Sequence, residues 1–366
     1  MKILHISKYY SPYKGGIENV VFNLVEGSIK MGDQVDVLCF NDSLKSSTEE
    51  FDNHKIFRAK RLFVLFSLPI SFEFFFKLIK LCNHYDIIHV HLPNPLAILA
   101  VFLKKVKTKI VIHWHSDIID QKFIYQFLAP FHKAVLGKAN KIIITSNNYL
   151  SASTQLFNFH DKCEVIPIGI NKKVNFESKS AKSKDVITIF SVGRLVRYKG
   201  FEKLITSGKH LDKNIKIIIA GDGPLKLNLE KLIRRHNLEN RIILVGRVSD
   251  KELFSYYEHA DVFCLPSITR NEAFGVVLLE AMSFGLPVVC FNIPGSGVPW
   301  VVKDKYNAIV VNKIESLELI KAINKISRDK KLRTDYSLNS KIRFQENFTV
   351  EKMQERTNKL YKKLLS

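Results

Sequence analysis

Short apolar runs alternate with amphipathic stretches along this chain, and the alternation happens twice. Lys2–Ser7 (KILHIS) is an apolar run of strand length, followed by Gly15-Gly16 and a helical spacing from Ile17 to Met31. Gln34–Cys39 is the next run. Strand, glycine turn, helix and strand predict a βαβ opening of a parallel sheet. Further runs at Ile87–His91, Ile110–His113 and Lys141–Thr145 extend it, separated by helical segments at Pro95–Lys104, Gln121–Leu136 and Asn148–Phe157. Val165–Ile170 reads as a last strand and exit turn. Residues 171–185 (NKKVNFESKSAKSKD) are polar and charged, the composition of a linker.

The series then restarts. Val186–Val192 is a strand, with a helix from Phe201; Lys216–Ala220 is a strand that turns through Gly221-Asp222-Gly223-Pro224 into a helix reaching His236. Arg241–Val245, Asp261–Leu265 and Val288–Cys290 are shorter runs, and the chain is helical from Glu315 onward. The predicted class is α/β: two Rossmann-like, doubly wound domains, 1–170 and 186–345, with 346–366 as a helix returning to the first. Ligands in such units lie beyond the carboxyl ends of the strands, facing a cleft.

Composition changes this picture in one respect. With 56 basic and 35 acidic residues the net charge is +21, of which residues 171–366 carry +15. Such a surface attracts phosphorylated substrates, anionic lipid or nucleic acid; it is also what a lysine-rich composition gives everywhere. The five cysteines are scattered without C-x-x-C spacing and read as reduced core residues of a cytoplasmic protein. No signal-peptide pattern and no run of 18 apolar residues is present. Leu62–Leu81 (LFVLFSLPISFEFFFKLIKL), with Arg58, Lys60, Arg61, Lys77 and Lys80 around it, leaves two readings open. It is either a membrane-surface element or a buried strand and helix of the first domain. Phe74, Phe75 and Phe76 cannot share one helix face, because neighbours are about 100° apart.

The stretch richest in chemistry is Arg270–Pro287 (RNEAFGVVLLEAMSFGLP). A loop ends near Gly275 and a helix begins, so free backbone N–H groups and the positive end of the helix dipole form an anion site. Glu272 precedes that site and Glu280 lies beyond it. A ligand with phosphate in the middle and hydroxyl-bearing groups at both ends fits; the alternatives are a dipole-capping glutamate and a solvated one. In GRLVRYKG, Arg194 and Lys199 flank a turn after a strand, where two cations could meet a diphosphate, or be two surface cations among many. His89-Val90-His91 and His113-Trp114-His115 repeat H-x-H, but without a carboxylate cluster nearby in sequence and with no D-x-D in the chain they do not predict a metal site.

Gly15-Gly16, Trp114-His115-Ser116-Asp117, Gly193-Arg194…Lys199-Gly200, Gly221-Asp222-Gly223-Pro224 and the Glu272/Glu280 pair occur in this order along nearly the whole chain. In these the chain resembles the GT-B-fold glycosyltransferases of family 4, retaining nucleotide-sugar enzymes. Ile293–Pro299 (IPGSGVP) is similar to the bacterial mannosyl- and rhamnosyltransferases of surface-polysaccharide assembly, such as lipopolysaccharide or capsule. The resemblance implies a hexosyl transfer with retained configuration, without metal or cofactor, from a GDP-mannose-like or UDP-sugar donor to a lipid-linked saccharide or oligosaccharide. It places the protein peripherally on the cytoplasmic membrane face. It implies that Glu280 holds the ribose hydroxyls and Glu272 the transferred sugar. The N–H groups of Phe274, Gly275 and Val276 receive the distal phosphate, with Arg194 and Lys199 on the diphosphate. Gly16 lets the first domain approach the donor, His115 points at the sugar's hydroxymethyl region, and backbone near Gly221 and Val248 meets the nucleobase. Two other classes stay open: a sugar-nucleotide epimerase or hydrolase on the same fold, and a non-catalytic basic protein that binds lipid or nucleic acid, though no nucleic-acid-binding signature is visible.

Overall fold

The computed structural model describes residues 1–13, 15–52, 54–65, 68–104, 107–118, 122–172 and 186–366. Of the linker expected at 171–185, all but the first two residues lie outside the described residues. The chain divides into two compact units, Met1–Gly169 with Val350–Ser366, and Ile170–Thr349.

The first unit contains β1 (Lys2–Ile6), α1 (Gly16–Lys30), β2 (Gln34–Phe40), β3 (Ser47–Phe51), β4 (His54–Ala59), β5 (Phe63–Leu65), β6 (Leu68–Ile70), α2 (Phe72–Leu81), β7 (Ile87–Leu92), α3 (Pro95–Leu103), β8 (Lys109–Trp114), α4 (Lys122–Lys138), β9 (Lys141–Ile144), α5 (Asn147–Ala152) and β10 (Cys163–Val165). Its main sheet has the order β10-β9-β8-β7-β1-β2-β4-β3. Every pairing is parallel except β3 with β4, which is antiparallel and lies at the edge. Residues Ile3–Ile6 and Ile87–Leu92 are buried throughout, as expected of inner parallel strands covered on both faces. The order reverses at β1: β2 lies on one side of it and β7 on the other.

The second unit contains β11 (Ile187–Val192), α6 (Phe201–Ser207), β12 (Ile215–Ala220), α7 (Lys226–Arg235), β13 (Ile242–Gly246), α8 (Asp250–His259), β14 (Val262–Leu265), α9 (Val276–Ser283), β15 (Val288–Phe291), α10 (Val298–Val301), β16 (Ala308–Val311), α11 (Ser316–Arg328) and α12 (Lys330–Asn347). Its sheet is β13-β12-β11-β14-β15-β16, all parallel, and reverses between β11 and β14. Both units are therefore doubly wound, and each has a switch point beside its first strand, the place where such folds bind ligands.

The last helix, α13 (Val350–Leu365), belongs to the first unit. Gly27 of α1 leaves room for the Gln354 side chain, whose Nε2 donates to the Asn23 carbonyl at 2.6 Å. The Tyr361 hydroxyl meets Nδ1 of His89.

Several expected elements differ. The helix expected at Asn148–Phe157 is only α5, Asn147–Ala152, followed by a 3-10 turn at Phe157–Lys162. The strand expected at Val165–Ile170 is β10, two residues earlier and three long. Over Leu62–Leu81 the chain forms the β5–β6 hairpin and α2, with residues 66–67 outside the described residues. Phe74 is buried against Phe40, with ring centroids 4.1 Å apart. Phe75 is half-buried and Phe76 is 64% exposed, so the three phenylalanines of the run do point different ways. No helix among the described residues is long and apolar enough to cross a membrane.

Candidate active site

In the second unit the loops leaving β11 and β14 meet at the switch point. After β11 the chain passes Gly193 and Arg194 into a 3-10 turn, Arg197–Lys199, and leaves through Gly200 at φ +66°. A Cβ at Gly200 would lie 2.1 Å from the Pro266 carbonyl oxygen, in the loop after β14. Glycine is required twice there, by the left-handed backbone and by that close approach. The Ile268 N–H closes the contact by donating to the Tyr198 carbonyl at 2.8 Å.

This seam brings Lys199 to Glu272. The ammonium donates to Oε2 at 2.6 Å, and the Ser267 hydroxyl donates to the same oxygen at 2.7 Å. Both charged residues are buried, 8% and 7% exposed. A buried pair is tolerable only when its remaining hydrogen-bonding capacity is also met. Here Oε2 takes both donors, and among the described residues Oε1 and two ammonium N–H groups have no hydrogen-bond partner, which leaves them for a ligand. The Ser296 hydroxyl fixes the Glu272 backbone by donating to its carbonyl. Arg194 sits at the same strand end but is exposed.

Three residues beyond Glu272, Gly275 caps α9 with φ +79° and ψ +59°. Among the described residues no group accepts from the N–H of Phe274, Gly275 or Val276. Those donors, at the start of a helix, are a ready anion site. Glu280, one turn further, accepts from the Tyr257 hydroxyl at 2.8 Å. Burial first, and then the Glu280 charge, push the Tyr257 phenol well above its ordinary value, so it stays a donor.

The neighbouring loops are held by glycines too. A Cβ at Gly221, φ +136°, would strike the Gly193 carbonyl oxygen at 2.0 Å. The Gly221 N–H donates to the Gly246 carbonyl at 2.7 Å, which ties the turn after β12 to the end of β13. Val248 is half-buried, just ahead of the Ser249/Glu252 capping box of α8.

In the first unit, His115 follows β8 and is buried, 7% exposed. Its Nε2 lies 3.1 Å from Nδ1 of His91, whose Nε2 lies 3.1 Å from Nδ1 of His5. The parallel register sets His5 beside His89 and His91 beside His113, so all five rings share one face of the sheet. Burial lowers His115 and His5 to about 3 and holds His89, His91 and His113 well below the ordinary range, so the cluster is neutral. His5/His89/His91 and His91/His113/His115 have ring nitrogens within 4.8 Å of one another, close enough for a metal ion. Their rings, however, stack rather than converge: His113 and His115 are 6° from parallel. Gly16 opens α1, and a Cβ there would meet no atom of the described residues within 4 Å. Packing among the described residues therefore does not explain a glycine at 16.

The structure thus joins Lys199 to Glu272 and aligns Phe274–Val276 ahead of Glu280, while Gly16 and His115 lie in the first unit. Sequence reasoning missed Ser267, Ser296 and Tyr257, which hold the two glutamates. Ser296 alone had a signal, being inside the Ile293–Pro299 stretch.

Two family models match the chain. "Glycosyltransferase Family 4" matches residues 14–174 and "Glycosyl transferases group 1" matches residues 172–343. The chain is 28% identical over 372 residues to the O-antigen chain mannosyltransferase C of Escherichia coli, covering 100% of this chain and 99% of that one. It is 28% identical over 358 residues to the D-rhamnosyltransferase WbpZ of Pseudomonas aeruginosa, covering 96% and 93%. Among solved structures, HepE of Anabaena in complex with UDP-glucose has a TM-score of 0.77 at 21% identity, covering 99% of this chain and 100% of that one. Two adjoining family matches, two doubly wound units and the ordered motifs agree: the chain belongs to the family-4 glycosyltransferases of the GT-B fold.

Proposed function

We propose that this glycosyltransferase moves a hexose, with retained configuration and without a metal ion, from a nucleotide sugar to a lipid-linked saccharide during assembly of an O-antigen-like polysaccharide. The observation that carries the reading is the second unit's switch point. A buried Lys199–Glu272 pair with spare donors and a spare oxygen stands three residues before the open N–H groups at α9. The cation and helix N-terminus suit the phosphates, with Glu272 ahead of them for the sugar and Glu280 beyond them for the ribose. The similarity to an O-antigen mannosyltransferase and to a structure solved with UDP-glucose supports the substrate class.

In this mechanism Lys199, Arg194 and the Phe274–Val276 N–H groups hold the diphosphate and stabilise the charge that develops as it leaves. Glu272 Oε1 accepts from a sugar hydroxyl, and Glu280 accepts from the ribose. The bond from the anomeric carbon to the phosphate oxygen breaks. The acceptor hydroxyl oxygen bonds to that carbon on the same face, and its proton passes to the leaving phosphate. Backbone at Gly221 and Val248 meets the base. The work is done at a membrane surface, which the basic charge favours.

The test is incubation of the purified protein with radiolabelled GDP-mannose or UDP-glucose and a bacterial lipid extract, with and without EDTA. The expected result is label in the organic-soluble fraction, undiminished by EDTA. Label released only as free or epimerised sugar would select the hydrolase or epimerase instead.

A further inference from the structure

The first unit has its own switch point, between β1 and β7, and a cavity of about 430 Å³ opens there. That is the size of a small-molecule site. Its walls are apolar, among them Phe40 at the end of β2, Ile70 of β6, Leu99 of α3 and Phe131 of α4. Two polar side chains break this lining, one from the end of each switch-point strand: Lys8 after β1 and Asn94 after β7.

Asn94 carries the stronger signal. It is buried, and its Oδ1 caps α3 by accepting from the Ala97 N–H at 3.2 Å. That bond fixes which end of the amide is oxygen, and it leaves Nδ2 a buried donor with no acceptor. Such a group is costly, and one lining a cavity calls for a ligand oxygen. Lys8 adds a half-buried ammonium. Burial lowers its affinity for a proton by more than the nearby Glu18 charge raises it, and a phosphate would add to that raising charge.

The cavity wall continues into an exposed apolar skin. Ile70 belongs to the β5–β6 hairpin, whose other strand exposes Phe63 and Val64; α2 follows directly and exposes Phe72 and Phe76. Lys60, Arg61, Lys77 and Lys80 lie along the same stretch. An apolar skin edged with cations suits an anionic membrane surface.

We propose that this cavity binds the phosphate-bearing end of a single-chain membrane lipid of the prenyl- or alkyl-phosphate class. The hydrocarbon lies against Phe40, Ile70, Leu99 and Phe131, and phosphate oxygens accept from Asn94 Nδ2 and the Lys8 ammonium. A bare hydrocarbon would leave the amide unsatisfied, a neutral alcohol could satisfy the amide but would bring no charge to the ammonium, and free phosphate would leave the apolar wall uncovered. As the anchor of the acceptor, the site rests on the transfer reading above; as a lipid-phosphate site, it stands without it.

The test is calorimetric titration of the whole protein with farnesyl phosphate, and with farnesol and inorganic phosphate as the two halves of that ligand. Farnesyl phosphate is expected to bind at least tenfold more tightly than farnesol, and inorganic phosphate not to bind this cavity. Asn94→Asp keeps the capping oxygen and replaces the donor with a second anionic oxygen, so it should fold and lose at least tenfold in affinity. Leu99→Trp fills the cavity and should do the same; Lys8→Ala, outside the packed core, serves if the tryptophan does not fold. Equal affinity for farnesol and farnesyl phosphate, unchanged affinity in folded Asn94→Asp, or no binding to the wild type would each overturn the proposal. Lost lipid binding with transfer to a soluble saccharide intact would remove the anchor and leave the transferase reading standing.

Discussion

Lowering the pH from 7.5 to 5.5 is expected to destabilise the first unit by roughly 7 kcal/mol, while the second changes little. The cause is the histidine cluster. His5, His89, His91, His113 and His115 are all buried in the first unit, and burial keeps every ring neutral. In the unfolded chain each takes a proton near 6.5, but in the folded unit His5 and His115 resist protonation down to about 3. The unfolded state therefore binds more protons throughout this window. Stability is full above 6.5 and is lost as the pH falls toward 3, by about 1.4 kcal/mol per histidine per unit of pH below 6.5. These five histidines, with buried His132 of α4 (held down to about 4) adding in the same direction, approach the whole stability of an ordinary domain over this interval. The two tryptophans make the test direct, since Trp114 lies in the first unit and Trp300 in the second. In Trp300→Phe, the urea midpoint followed by Trp114 fluorescence should drop steeply below pH 6.5. In Trp114→Phe, the Trp300 signal should hold. Equal midpoints at both pH values in the first variant would show that these rings protonate without unfolding.

The second large effect separates two cations that sequence motifs treat alike. Lys199 is buried against Glu272, whereas Arg194 is exposed. Removing Lys199 leaves a buried carboxylate with only the Ser267 hydroxyl, a loss of about 3–5 kcal/mol when one partner of a buried pair is deleted. Removing an exposed arginine changes stability by about 0.5 kcal/mol or less. Transfer should nonetheless fall by roughly 10²-fold or more in both Arg194→Ala and Lys199→Ala, because each loses a donor to the leaving diphosphate. Glu272→Ala should lose a similar factor through the sugar. Urea melts and initial rates on the same preparations check both halves. A stable Lys199→Ala, or an active Arg194→Ala, would contradict the assigned geometry.

Much of the fold was legible because inner parallel strands are unbroken apolar runs and the turns after them carry glycine. β3 (STEEF) was not, since it is an exposed antiparallel edge strand with no buried face to create alternation. β16 (AIVV) is too short to stand out from a loop. At the site, the motif around Arg194 and Lys199 marked both cations. It could not show that Lys199 faces Glu272, 73 positions away, because the seam depends on Gly200 fitting against Pro266. Ser267 and Tyr257 gave no local signal; their function is to hold a glutamate that arrives from another stretch. The H-x-H pairs were visible, but their alignment with His5 is a property of strand register, which composition does not display.

The central claim is that the switch point of the second unit grips the diphosphate of a nucleotide sugar. Thermal unfolding with GDP, UDP, ADP and dTDP, on the wild type and on Arg194→Ala, tests it most directly. A ligand that binds only the native state, present at 100 times its Kd, adds about 2.7 kcal/mol of stability. The account predicts such a shift with at least one of the four diphosphates, and at least tenfold weaker binding of that nucleotide by folded Arg194→Ala. No shift with any of them, or an equal shift in the variant, would contradict it.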